Sequence, residues 1–195
     1  MSVQKVFCKF TNNLPHGKLF YGLFLNDGLN PHPTDNQTIN VMKELNLPEA
    51  DLKLRNISTG NIQVFDPLRL KFVALTPEEW VRQHFVSFLF THKDYPKGLM
   101  ANEVAITLNS TSRRCDTVVY DRNASPVMIV EYKAPSVSIT QRTFDQIVRY
   151  NMVLKVRYLT VTNGLNHYCC RVTYDPPSYA FLKDIPSYDD IINGV

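Results

Sequence analysis

Arg113-Arg114-Cys115-Asp116-Thr117-Val118-Val119-Tyr120-Asp121, then Arg122-Asn123-Ala124-Ser125, then Pro126-Val127-Met128-Ile129-Val130-Glu131-Tyr132-Lys133-Ala134 is the stretch on which the fold turns. Both flanks are rich in β-branched and apolar residues, and the four residues between them are short and polar. They predict two adjacent antiparallel strands. Upstream, Asn102–Leu108 (NEVAITL) reads as a third strand. Downstream, a helix is expected from about Thr140 to Leu154, followed by strands in VRYLTVTNG (156–164) and HYCCRVTY (167–174).

A further helix precedes all of these. It starts at Thr76-Pro77-Glu78-Glu79-Trp80, with Thr as N-cap, Pro in the first helical position and two carboxylates near the positive end of the dipole. Trp80, Val81, Phe85, Phe88 and Leu89 form its apolar stripe, and Asp94-Tyr95-Pro96-Lys97-Gly98 ends it. The order is helix, three strands, helix, two strands. That order predicts an α/β fold, a sheet flanked by helices. The alternating runs 52–58 and 61–73 around Thr59-Gly60 add an N-terminal β-hairpin extension.

The chain has 195 residues, 44% hydrophobic and 20% charged, enough for one sizeable core and too short for two comfortable domains. Residues 1–41 stand apart: they hold no Glu and no Arg, are rich in Asn and Phe, and include the broken stretch NPHPTDNQ. They read as a poorly structured or spurious extension, with the folded unit at 42–195. The net charge of +3 provides no strong overall field for nucleic acid, so any DNA contact must come from a local basic cluster. Cys8, Cys115, Cys169 and Cys170 contain no C-x-x-C pair and read as reduced thiols. His167 beside Cys169 and Cys170 is a poor zinc candidate, because strand alternation sends the two thiols to opposite faces. With no signal-peptide pattern and no apolar run long enough for a bilayer, the expectation is a soluble cytoplasmic protein.

Asp116 and Glu131 interrupt apolar strands. With a two-residue period, Glu131 and Lys133 share one face while Tyr132 takes the other, and pairing of the two strands brings Asp116 toward Glu131. A carboxylate straight after Met-Ile-Val is costly to bury unless a cation meets it. A divalent metal would do so. Lys133, with its ammonium pKa lowered by that cation, could then position or deprotonate a water. Without a metal, the same residues read as a buried Glu131–Lys133 ion pair beside an exposed Asp116. On the following helix Gln146 and Tyr150 lie four apart, so they share a face that can pack over Glu131 and Lys133. Arg113 and Arg114 are candidate phosphate contacts.

The run Arg113 to Asp116, then Val130-Glu131-Tyr132-Lys133-Ala134-Pro135, then Phe144-Asp145-Gln146-Ile147-Val148-Arg149-Tyr150-Asn151, then Thr162-Asn163-Gly164, resembles the N-terminal nuclease domain of type I restriction enzyme R subunits. The Thr76–Gln83 string resembles the stand-alone, Bacteroides-like form of that domain. The resemblance covers about Leu45 to Ile191. It implies a restriction-endonuclease-like fold and a PD-(D/E)XK site that cuts DNA in restriction or phage defence. Mg²⁺, with Mn²⁺ as a substitute, would be bound by Asp116 and Glu131. Lys133 is then the catalytic lysine and Gln146 with Tyr150 the auxiliary pair. A first-helix carboxylate often completes such sites; Glu79 is the choice, with Glu78 and Glu103 as competitors.

The chain departs from the full-length subunit in lacking the P-loop pattern. Gly17 and Gly22 have the right separation, but Leu23-Phe24 replaces the Lys-Ser/Thr that grips phosphate and metal, so no ATPase activity is expected. The expected partners are DNA and other restriction-system subunits. Cutting both strands usually needs two active sites, which makes a homodimer plausible. The competing reading is a binding module that keeps the nuclease fold without cutting.

Overall fold

The computed structural model describes residues 42–57, 61–108 and 110–194. The distinct stretch 1–41 and the Thr59-Gly60 turn lie outside them. Around that turn, β1 (Leu54–Asn56) pairs antiparallel with β2 (Ile62–Asp66), as the hairpin reading requires. The run 61–73 is not one strand, however. Asp66-Pro67 breaks it: the Asp66 carboxylate accepts the backbone N–H groups of Leu68 and Arg69, and Leu70 turns the chain at φ 52°. The chain returns as β3 (Lys71–Ala74), giving a small sheet of order β1-β2-β3.

The main sheet has six strands in sequential order: β4 (Met100–Leu108), β5 (Thr111–Tyr120), β6 (Pro126–Tyr132), β7 (Tyr158–Thr162), β8 (His167–Tyr174) and β9 (Pro177–Phe181). The β6/β7 pair is parallel and the others antiparallel, because α2 (Gln141–Leu154) crosses between β6 and β7. Helix α1 (Pro77–His92) begins as expected, the Thr76 hydroxyl accepting the Glu79 N–H at 3.0 Å. It packs Val81, Phe85, Val86 and Leu89 with Met128, Val130 and Tyr132, and α3 (Tyr188–Asn193) joins the same cluster. Phe144 and Ile147 of α2 pack on the other face with Val118, Ile129 and Leu159. The sheet is thus covered on both sides, and from Met128 onward the alternation along β6 decides which cluster each apolar residue enters.

Two elements escaped the sequence reading. Strand β9 is exposed along its whole length and begins at Pro177, a residue a sheet tolerates at an edge because it need not donate there. Helix α3 is six residues long, capped by Ser187, and too short to show a helical period. Cys169 and Cys170 do enter opposite clusters, and burial pushes their thiols up to about 12 and about 11. His167 is held by Thr162 and by the Asn46 carbonyl, a structural role. No helix among the described residues is long and apolar enough to cross a membrane.

Candidate active site

Thr117 pairs with Val130 across β5 and β6, so the next position outward sets Asp116 level with Glu131. On the other side Asn102 pairs with Thr117 and Val104 with Cys115, which brackets Glu103 level with Asp116. Three neighbouring strands therefore carry a row of carboxylates, Glu103, Asp116 and Glu131.

Glu131 is 3% exposed. Its Oε1 accepts hydrogen bonds from Lys133 Nζ and from Gln146 Nε2, each at 2.7 Å. Its Oε2 is buried without a partner. Gln146 Nε2 also reaches the Tyr150 hydroxyl at 3.2 Å. The four residues picked out from two separate motifs thus form one connected group, because α2 lies over the β6 face that bears Glu131. Burial, and after it the charge of Asp116, push the Glu131 carboxyl up to about 7. Burial alone would lower the Lys133 ammonium, but the hydrogen bond and charge of Glu131 outweigh it and hold the group above its ordinary value.

Asp116 accepts the Tyr132 N–H on Oδ2 at 2.8 Å and Arg82 Nη2 on Oδ1 at 3.2 Å. Burial still raises its pKa against those two partners. The side chain is 17% exposed.

The first-helix carboxylates separate in role. Glu79 is taken up by Arg69 Nη2 and Gln83 Nε2, both at 2.7 Å on Oε1, which ties it into a network behind the row. That network continues through Arg69 to the fully buried Asp66, to Asn102, Thr117 and Tyr132. Glu78 instead belongs to the charge field of the row: burial and then Asp116 raise its pKa, and its own charge raises that of Glu131. Glu103 is gripped by Arg82 and by Arg114, the latter at 2.9 Å. Arg113 and Arg114 are exposed at the outer part of β5. Among the described residues, no three His, Cys, Asp or Glu side chains converge on one metal position.

Two carboxylates and a buried unpartnered oxygen nevertheless suit Mg²⁺, which usually keeps several waters and takes few protein ligands. Sequence reasoning missed Arg82, whose guanidinium contacts both Glu103 and Asp116 while only 3% exposed. The signal available for it was an arginine flanked by the core residues Val81 and Phe85.

The model of the type I restriction enzyme R protein N terminus matches residues 77–186, more than half of the chain and every residue of the site except those in the network at Asp66 and Arg69. The chain belongs to the type I restriction enzyme R protein N-terminal family. No curated protein matches it. Among solved structures it is similar to a fragment described as an HsdR subunit of a type I restriction enzyme from Vibrio vulnificus YJ016. The identity is 17% and the TM-score 0.45, over 61% of this chain and 25% of that one. The R-protein N-terminal chain therefore spans about a quarter of that structure's length.

Proposed function

We propose that this R-protein N-terminal chain hydrolyses DNA phosphodiester bonds in a restriction or phage-defence system, using Mg²⁺ (or Mn²⁺) held by Asp116 and Glu131. The observation that carries the reading is the Glu131 carboxylate. One of its oxygens is fixed by Lys133 and Gln146, and the other is buried with no partner, level with a second carboxylate on the neighbouring strand. A purely structural ion pair has no need of that second carboxylate or of the unpaired oxygen.

Bound between these carboxylates, the cation would neutralise the charge that builds on the scissile phosphate. The protein groups do the rest. Lys133 is held by Glu131 at 2.7 Å, and its ammonium can orient an attacking water and hold its charge. Gln146 fixes Glu131 and reaches Tyr150, whose hydroxyl could touch the DNA backbone. Glu78, through its charge, supplements the two ligands as an outer carboxylate, while Glu79 supports the scaffold. Arg113 and Arg114 would meet flanking phosphates. The net charge of +3 favours a substrate delivered by other restriction subunits or engaged by a dimer over one captured from bulk solution.

Incubation of supercoiled plasmid and of single-stranded DNA with Mg²⁺ or Mn²⁺ tests this, comparing wild type with Asp116→Ala and Lys133→Ala. Wild type is expected to nick or linearise DNA while both variants leave it intact. A wild-type protein that neither cuts nor binds the metal, yet binds DNA, would replace the nuclease with a binding module on the same fold.

A further inference from the structure

The site carries more acid than a single cation needs, and the structure disposes of the surplus in a definite way. Six carboxylates (Asp66, Glu78, Glu79, Glu103, Asp116 and Glu131) share ion pairs with four cations, Arg69, Arg82, Arg114 and Lys133. With all six ionised, two negative charges remain, the amount that one divalent ion neutralises. The unpartnered oxygen lies on Glu131, on the side of the row away from Glu103.

At the other end of the row a guanidinium does a cation's work. Arg82 Nη1 binds Glu103, its Nη2 lies 3.2 Å from Asp116, and its planar head lies 5.5 Å from the buried Tyr132 ring. Tyr132 is itself fixed through Thr117. Arg69 and Gln83 both donate to Glu79 Oε1, and Arg82 stands 3.8 Å from Glu79 and from Glu78 while making its close contacts with Glu103 and Asp116. We propose that the site takes one divalent cation, on the Asp116–Glu131 side, and that Arg82 occupies the position between Asp116 and Glu103 where a second would bind. This rests on the nuclease reading and specifies its metal stoichiometry. Arg82 is a positioning residue: it holds Asp116 in the row and excludes a second ion by charge and by volume.

The test is Mn²⁺ binding to the full chain, followed by calorimetry and by the electron paramagnetic resonance of the bound ion, with no cleavage needed. Wild type is expected to bind one Mn²⁺ with the spectrum of an isolated ion. Glu103→Gln should keep that ion, and Glu131→Gln should lose it. Arg82→Gln, its fold checked by circular dichroism, should admit a second Mn²⁺ with exchange coupling to the first, and adding Glu103→Gln should return the count to one. Two ions in wild type, loss of the ion in Glu103→Gln, or a folded Arg82→Gln that still binds one would each overturn the proposal while leaving a metal-dependent nuclease standing. No Mn²⁺ bound to wild type would overturn the nuclease reading itself. If Arg82→Gln does not fold, the wild-type count and Glu103→Gln decide.

Discussion

Glu131 brings a carboxylate into the interior of the sheet with one oxygen satisfied and the other left without a partner. Its pKa stands at about 7 in the folded chain against an ordinary value of 4.5. A group raised in this way contributes stability that is fully present below about 4.5 and is lost as pH rises through about 7. In the presence of a chelator, wild type should therefore lose stability between pH 5 and pH 8, whereas Glu131→Gln should not. By pH 8 the variant should be the more stable by about 1–3 kcal/mol, read from urea midpoints. Parallel pH profiles for the two proteins would show that the carboxylate is not strained. At this scale much was legible in the sequence: Asp116, Glu131 and Lys133 come together because two consecutive strands pair, and Gln146 and Tyr150 because helical spacing is local. Arg82 was not legible, since its partners Glu103 and Asp116 lie on other elements. The same applies to Glu79, whose capture by Arg69 depends on the turn at Asp66.

Between elements, the segment after Lys133 is held by the end of β7. Lys133 donates its N–H to the Thr162 carbonyl, and Asn163 Nδ2 donates to the Val137 carbonyl. Thr162 and Asn163 also cap the turn that follows, through the N–H groups of Gly164, Leu165 and Asn166. Thr162-Asn163-Gly164 is therefore a clamp on the segment after Lys133. Gly164 sits at φ +79°, its carbonyl accepts the Asn46 N–H, and an added Cβ would lie 2.6 Å from Leu45 Cδ2 and 3.1 Å from Val81 Cγ2. Gly164→Ala should cost about 1–3 kcal/mol in a denaturant titration, from the left-handed backbone and the contact together. A cost near zero would mean that this turn does not anchor that segment. The strands and helices with strong periods were readable from sequence. Strand β9 and the break that separates β3 from β2 were not, because Asp66-Pro67 and Pro177 mark turns as readily as strand boundaries, and only pairing decides between them.

Over the whole molecule, the +3 charge leaves DNA affinity to local contacts. Arg113 and Arg114 stand exposed on the strand that carries Asp116. Replacing both with Ala should weaken DNA binding by about threefold to tenfold and lower the slope of log affinity against log salt by about 1–2. An unchanged slope would place the phosphate contacts elsewhere. Membership in the R-protein N-terminal family ties the chain to restriction. The central claim is that Asp116 and Glu131 form a metal-dependent hydrolytic site. Its most direct test is single-turnover nicking of supercoiled plasmid in Mg²⁺ by wild type beside Glu131→Gln, with chelated controls. Wild type should nick only with the metal, and the near-isosteric variant should be slower by about a hundredfold or more. Nicking that survives chelation, or an equal rate in Glu131→Gln, would contradict it.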